Sequence, residues 1–238
     1  MNLRRLTVAT VFLVGLALVV FSVLQLYRGF SESAAARAEY EQLRSISIAA
    51  IEAQAPEDSS ESDSAEIPLS ELAAINPDFV GWITIFGTSV NYPVVRGIDN
   101  KRYLHTTFGG ARNSAGAIFM DYRVTQGFDS PVSIIYGHNM RNGSMFATLL
   151  NYLNREFLEQ NSEILIITVV GERLVYRIFE VRRTDAWDRV YLLDFSDAQA
   201  IARFPSAPMG AERILVLSTC SSNANRNERL LIFAALTE

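Results

Sequence analysis

The sequence predicts a mainly β domain folded as a closed or nearly closed β-barrel, preceded by an N-terminal membrane helix and a stalk. About eight short apolar runs, rich in β-branched residues and separated by turn residues, follow one another along the chain. Three short helical patterns interrupt these runs, and no internal repeat is visible. Many short strands with few helices are typical of barrels, which close a sheet on itself and so remove its edges.

The N-terminal segment that begins at Leu6 and ends at Leu26 contains no charged residue. At about 1.5 Å per residue it spans roughly 32 Å, which matches the hydrocarbon core of a bilayer. Arg4 and Arg5 precede it, so we expect the N-terminus to stay in the cytoplasm and the remainder to be exported. A cleaved signal peptide is the alternative, because the small residues 34–36 resemble a cleavage site. The apolar run is longer than a signal peptide needs, and we predict an uncleaved anchor.

Two segments of different composition follow the anchor. Residues 31–53 have apolar side chains at helical spacing and charges of alternating sign, which predicts a solvated helical stalk. Residues 55–66 are acidic and serine-rich without a large apolar side chain, which predicts a flexible spacer. The expected organisation is a cytoplasmic tip and anchor in residues 1–30, a stalk and linker in residues 31–66, and a folded domain in residues 67–238.

The folded domain is expected to begin near Ile67 with a short helix at residues 68–75. The predicted strands are residues 80–86, 90–95, 117–119, 132–136, 164–170, 174–182, 214–219 and 230–236. The predicted helical pieces within the barrel are residues 100–105, 144–157 and 196–204, the last with Ser196 as its N-cap.

Composition and motif content exclude several classes of function. The net charge of −5 argues against a nucleic-acid partner, since nucleic-acid-binding proteins present a basic face. No glycine-rich phosphate loop is present. One cysteine and two histidines lack the close ligand spacing of structural zinc motifs. The sequence therefore predicts no metal and no cofactor.

The single cysteine and one of the histidines both follow predicted strands. Cys220 ends the apolar run that begins at Ile214, and His138 ends the run that begins at Val132. A thiolate is a strong nucleophile when a base lies beside it, so two strand ends that present a cysteine and a histidine can form a catalytic pair. The alternative is an inert buried thiol and a histidine that caps a loop, because free cysteine is often buried.

The residues around this pair resemble the signatures of class B sortases. The matching motifs are Tyr136-Gly-His-Asn-Met140, Asn142-Gly-Ser-Met-Phe146, Leu217-Ser-Thr-Cys220, Pro77-Asp-Phe-Val-Gly-Trp-Ile83, Tyr92-Pro-Val-Val95 and Gly116-Ala-Ile-Phe-Met-Asp121. The resemblance implies an eight-stranded sortase-type β-barrel and a cysteine transpeptidase of Gram-positive bacteria. Such an enzyme cleaves the C-terminal sorting signal of a surface protein and joins the new carboxyl end to an amine of peptidoglycan or another acceptor.

The resemblance also implies roles for individual residues. Cys220 would be the nucleophile and His138 the proton-transfer group. The family places an oxyanion-stabilising arginine just before the strand that follows the cysteine, which matches Arg229, with Arg226 as the alternative. A guanidinium remains charged and offers several donors in one plane, which suits an oxyanion.

Two further residues are possible supporting members of the site. Ser218 lies two residues before the cysteine and so points to the same side of the strand, unless backbone groups simply satisfy its hydroxyl. Asn113 matches a family asparagine that would orient the histidine, and the alternative is an ordinary turn residue. His105 is expected to end a short helix.

Two other functional classes remain open from the residues alone. A secreted cysteine protease would use the same Cys–His pair with water as the acceptor, and a membrane-tethered binding module would need neither residue. The segment between residues 195 and 214 is shorter than the family's, so the sequence predicts no particular sorting motif.

Overall fold

The computed structural model describes residues 3–52, 69–220, 225 and 227–237, and gives the backbone alone for residues 3–9 and 46–52. The predicted acidic spacer at residues 55–66, the expected domain start at Ile67 and the alternative arginine Arg226 lie outside these residues.

A closed eight-stranded barrel forms the body of the protein, which confirms the predicted fold class. The strands are β1 Phe79–Thr84, β2 Asn91–Val95, β3 Ile118–Met120, β4 Val132–Tyr136, β5 Glu163–Thr168, β6 Arg173–Asp185, β7 Ile214–Cys220 and β8 Glu228–Leu236. Around the barrel their order is β1-β2-β3-β4-β7-β8-β6-β5, and β5 pairs with β1 to close the sheet. Each predicted strand corresponds to one of these eight, and the largest difference is at β6, which continues to Asp185.

The helical pieces are shorter than the sequence predicts. The helix α2 spans Leu69–Ile75 and α3 spans Arg155–Gln160, with 3₁₀ turns at Arg102–Leu104, Gly127–Asp129, Ala147–Leu153, Arg189–Leu192 and Ala198–Arg203. The prediction of Ser196 as an N-cap is wrong, because the carboxylate of Asp197 accepts the N–H of Gln199 at 2.9 Å and caps the turn instead. The hydroxyl of Ser196 donates to Asp194.

The two strands that carry the candidate site, β4 and β7, lie side by side and parallel in the barrel wall. Their side chains are buried except at the last residue of each strand, Tyr136 and Cys220, which are half-buried. Strands covered on both faces have near-continuous apolar sequences, as these two have. The core fixes the backbones of both strands. The residues at and just after the end of each strand therefore extend from a rigid edge of the barrel.

The N-terminal helix α1 is one element, Leu3–Glu52, and its residues 36–43 pack on the barrel. Residues 10–32 are exposed, and the helix is by length and composition apolar enough to cross a membrane. The prediction of a solvated stalk is wrong at residues 36–43, because Ala36, Tyr40 and Leu43 are only 5%, 3% and 4% exposed. These positions recur at helical spacing and form an apolar stripe that the barrel covers. We call residues 32–45 the docked segment.

Candidate active site

The parallel pairing of β4 and β7 brings the candidate histidine and cysteine to the same edge of the barrel. Tyr136 is the register partner of Ser218. His138 and Cys220 each lie two residues beyond this matched pair, in the same chain direction. The N–H of Gly137 donates to the carbonyl of Ser218 at 3.2 Å and so continues the alignment past the end of β4. The two chains therefore leave the sheet next to each other.

A side-chain bond ties the histidine loop to the cysteine. The amide Nδ2 of Asn139 donates to the carbonyl of Cys220 at 2.9 Å. The loop also needs glycine at position 137, because a Cβ there would lie 2.6 Å from side-chain atoms of both Ile118 and Phe146. The turn that carries His138 is thus packed tightly against the core.

The His138 ring is held by a backbone carbonyl. Its Nε2 lies 2.7 Å from the oxygen of Leu104. Because a carbonyl oxygen only accepts, Nε2 carries the proton and Nδ1 is the ring nitrogen left for chemistry. His105 ends the 3₁₀ turn, as the sequence predicts, and its ring stacks on His138 with centroids 6.2 Å apart.

The candidate oxyanion donor faces the cysteine across β7 and β8. Cys220 and Arg229 are direct register partners in this antiparallel pair. Side chains directly opposite each other share one face of the sheet, with Cβ atoms about 4.5–5.5 Å apart. The half-buried Arg229 guanidinium donates through Nη1 to the carbonyl of Glu228 at 3.1 Å. Cys220, the free cysteine, is itself half-buried.

Ser218 is 3% exposed and its partner is a side chain rather than the backbone. Its hydroxyl lies 2.8 Å from the hydroxyl of Tyr191. Burial raises the pKa of Tyr191, while the hydrogen bond with Ser218 and the charge of Arg229 oppose that rise. A thiolate at Cys220 would act on the pKa of Tyr191 in the opposite direction to Arg229.

An arginine fork holds the segment that carries Tyr191 against the barrel. Nε and Nη2 of Arg123 donate to the two carboxylate oxygens of the fully buried Asp121 at 2.9 and 2.8 Å. Nη1 of Arg123 donates to the carbonyl of Tyr191 at 3.0 Å, and the guanidinium lies 4.8 Å from the ring centroid of Phe195. This fork connects the core to the segment between β6 and β7, which forms one side of the site.

Asn113, the other supporting residue predicted from the sequence, is engaged away from the His138 ring. Its Nδ2 donates to the carbonyl of Glu32 in the docked segment at 2.8 Å. Its Oδ1 accepts the N–H of Ala115 at 2.9 Å, which is the turn geometry of the alternative interpretation. The structure therefore brings Cys220, His138, Arg229 and Ser218 together and uses the Asn113 amide to bind the helix.

Tyr191 and the bridging role of Asn139 were missed by sequence reasoning. Tyr191 reaches Ser218 from a 3₁₀ turn far from either strand, and no periodicity in the sequence signals that contact. Asn139 directly follows His138, and this adjacency is the one sequence feature that could have indicated a residue that fixes the histidine loop. Among the described residues, no group of three or more His, Cys, Asp or Glu side chains is arranged to hold a metal.

Comparison with known proteins identifies the family. The sortase-domain family model matches residues 83–237. The sortase B of Listeria monocytogenes is 35% identical over 165 residues, covering 65% of this chain and 67% of that protein. The sortase B of Staphylococcus aureus is 30% identical over 176 residues, covering 69% of this chain and 72% of that protein.

Solved structures agree with the sequence comparisons. A substrate complex of Staphylococcus aureus sortase B superimposes with a TM-score of 0.72 at 27% identity, covering 87% of this chain and 99% of that one. Clostridium perfringens sortase B gives a TM-score of 0.63 at 29% identity, covering 71% and 99%. With the barrel, the matched domain and these relatives in agreement, the chain belongs to the sortase family of cysteine transpeptidases, among its class B members.

Proposed function

We propose that this sortase is a membrane-anchored extracellular enzyme that forms a thioacyl intermediate on Cys220. It cleaves the C-terminal sorting signal of a surface protein and transfers that protein to an amine of peptidoglycan or another cell-wall acceptor. The observation that carries this proposal is that His138 and Cys220 lie at equivalent register positions at the ends of the paired strands β4 and β7, with Arg229 opposite the cysteine.

The first half of the reaction forms the thioester. The thiol of Cys220 passes its proton to Nδ1 of His138 as the sulfur attacks the scissile carbonyl carbon, and a tetrahedral oxyanion forms. The C–N bond then breaks, and His138 donates a proton from Nδ1 to the departing amine. The bond from Nε2 to Leu104 keeps the ring in the orientation in which Nδ1 can do this.

The second half transfers the acyl group. The acceptor amine attacks the thioester carbon and gives a proton to Nδ1 of His138; the C–S bond breaks, and Nδ1 returns that proton to the sulfur to restore the thiol. Arg229 would donate to the oxyanion in both halves, because a preorganised cation at this place needs no rearrangement as charge develops. Ser218 and Tyr191 would form a polar wall that contacts the substrate backbone.

Helix α1 supports retention of the anchor. Cleavage at the small residues 34–36 would remove Glu32, whose carbonyl binds Asn113, and would interrupt the docked segment at the buried Ala36. An uncleaved helix keeps these contacts, so we propose a single-pass anchor with Arg4 and Arg5 in the cytoplasm and the barrel outside.

The proposed function is tested with the full chain in detergent micelles. Peptides from a library of sorting signals are incubated with the enzyme, with and without a peptidoglycan-like amine, and the products are identified by mass spectrometry. We expect cleavage that requires Cys220 and a ligated product that increases with amine concentration at the expense of hydrolysis. The Cys220→Ala variant should fold and be inactive, since it removes little buried volume.

Three results would contradict this function. Purely hydrolytic product at high concentrations of several amines would identify a cysteine protease with water as its acceptor. Cleavage that persists in Cys220→Ala would remove the cysteine from the mechanism, and failure to modify the native thiol with an alkylating agent would support an inert buried thiol.

A further inference from the structure

We propose that the docked segment of α1, in addition to following the anchor, positions the catalytic histidine. Two separate chains of contacts lead from the docked segment to His138, one to its backbone and one to its ring. The inference rests on the proposed role of His138 in proton transfer.

The docked segment is fixed to the barrel by polar as well as apolar contacts. The buried Tyr40 hydroxyl donates to the carbonyl of Gly116 at 2.7 Å. Nε of Arg44 donates to the carbonyl of Asn91, at the start of β2, at 2.9 Å. Hydrogen bonds to backbone carbonyls fix the rotation of the helix about its axis and its position along that axis. Burial of apolar side chains alone leaves both loosely defined.

The first chain of contacts passes through Tyr92 on β2. The Tyr40 ring meets the Tyr92 ring edge-on, with centroids 5.2 Å apart and an interplanar angle of 87°. The Arg44 guanidinium lies 4.7 Å from the centroid of the same ring. Tyr92 is 2% exposed, so its ring is held between the helix and the barrel. An edge contact and a cation–π contact of this kind fix ring orientation.

The Tyr92 hydroxyl then reaches the histidine loop. It accepts the backbone N–H of Met145 at 3.0 Å. Met145 has a φ of 56°, a left-handed conformation that costs free energy in a residue other than glycine and needs support from its surroundings. The next residue, Phe146, donates its N–H to the carbonyl of His138 at 2.9 Å. The Tyr92 hydroxyl thus supports the strained residue that sets the His138 backbone.

The second chain of contacts reaches the imidazole ring. The carbonyl of Glu32 accepts from the Asn113 amide at 2.8 Å. The backbone N–H of Asn113 donates to the carbonyl of His105 at 2.9 Å. The preceding carbonyl, that of Leu104, accepts from Nε2 of His138 at 2.7 Å. The helix, the loop that carries Asn113 and the ring are therefore linked by consecutive hydrogen bonds.

Both series of contacts act on His138, whose position must be accurate for proton transfer. His138 lies in a loop, and loops are the more mobile parts of a structure unless they are held. Small displacements of a proton-transfer group lower the rate strongly, whereas substrate affinity depends on other contacts. Weakening either chain should accordingly lower kcat and leave KM unchanged.

The test compares three variants of the full chain in micelles. Tyr92→Phe removes only the hydroxyl that accepts the Met145 N–H, and Tyr40→Ala removes the buried side chain that docks the helix. Gln42→Ala changes an exposed side chain on the docked segment and is the matched control. We expect kcat for thioester formation to fall about threefold to tenfold in Tyr92→Phe, the equivalent of one lost hydrogen bond, with KM within twofold of wild type. Tyr40→Ala should lose at least as much, and Gln42→Ala should match wild type.

A second readout does not depend on activity. The chain has two histidines, so ¹⁵N-labelled imidazole signals can be assigned with a single His105→Gln variant. We expect the His138 signals to shift or broaden in Tyr92→Phe and Tyr40→Ala and to stay in place in Gln42→Ala. Unchanged His138 signals together with unchanged kcat would overturn the inference. If wild type itself shows no transpeptidation while the imidazole signals respond to the variants, the proposed function fails and the positioning remains.

Discussion

Cys220 and Arg229 face each other across β7 and β8, which in the proposed mechanism places the Arg229 guanidinium beside the reacting carbonyl. Arg229 is half-buried and its Nη1 is bonded to the carbonyl of Glu228, so the guanidinium is partly ordered before substrate binds. A lysine could keep the charge but not the planar set of donors.

Arg229→Lys should therefore lower kcat/KM by roughly a hundredfold to a thousandfold, as loss of one oxyanion donor does in other enzymes. The measurement is the rate of thioester formation with a sorting peptide. Arg226→Lys is the matched comparison, since it changes the alternative arginine of the same connection, and it should have a much smaller effect. Equal losses in the two variants would contradict the assignment of Arg229.

Site residues that lie in or next to a strand could be predicted from the sequence. Site residues that reach the site from a distant part of the chain could not. Cys220, His138 and Ser218 could be located because each lies in or just after an apolar run. Tyr191 meets Ser218 only because a distant 3₁₀ turn folds back on the site. For Asn113 the sequence left a histidine-orienting residue and an ordinary turn residue both open, and it could not show that the side-chain amide bonds to Glu32 of the docked segment.

At the scale of elements, the connection between β6 and β7 depends on the buried Asp121 carboxylate. Burial acts to raise the pKa of Asp121, but hydrogen bonds from Arg123, Tyr136 and Asn100 outweigh burial and hold that pKa below its usual value. The carboxylate is therefore ionised in the folded protein and keeps the Arg123 fork in place. Through that fork the core holds the Tyr191 carbonyl.

The lowered pKa predicts a loss of stability in acid. An unfolded aspartate has a pKa of about 3.9, so the stability that Asp121 contributes is complete above that pH and is lost as the pH falls through its lower folded value. Urea unfolding should show that Asp121→Asn is less stable than wild type by about 2 kcal/mol at pH 7. The difference should shrink between pH 4 and more acidic solutions.

The matched control for this prediction is Asp194→Asn. The pKa of Asp194 is also lowered, through its hydrogen bonds with Ser196, but that carboxyl lies at the surface. Its replacement should change stability little at any pH. A pH-independent difference between wild type and Asp121→Asn would contradict an ionised network.

The strands and helices were largely predictable, because apolar runs bounded by turn residues define strands locally. All eight strands were located, whereas the helix at residues 144–157 proved to be a 3₁₀ turn followed by α3. The docking of α1 was not predictable, since three apolar residues at helical spacing suit a weakly amphipathic stalk as well as a packed helix. Only the barrel surface decides between these, and it is assembled from distant parts of the chain.

For the whole molecule, the expected topology places the only cysteine outside the cell. A membrane-impermeant maleimide added to intact cells should label the half-buried Cys220, and the labelled protein should sediment with membranes. Cys220→Ala is the control for labelling of other groups. Labelling that requires permeabilised cells would reverse the orientation, and labelled protein in the medium would indicate a cleaved signal peptide.

The uninterrupted course of α1 from its apolar half into the docked segment has a consequence for how substrates are found. Glu32, which binds the loop of Asn113, follows Leu26 by only about 9 Å of helix at 1.5 Å per residue. With the apolar half in a bilayer, the barrel stands at the membrane surface at a fixed height, whatever the length of the acidic segment after Glu52. An enzyme held at a fixed height meets a substrate anchored in the same membrane by diffusion in two dimensions. The rate at which the two meet then depends on their lateral mobility in the membrane, and not on the length of a flexible tether.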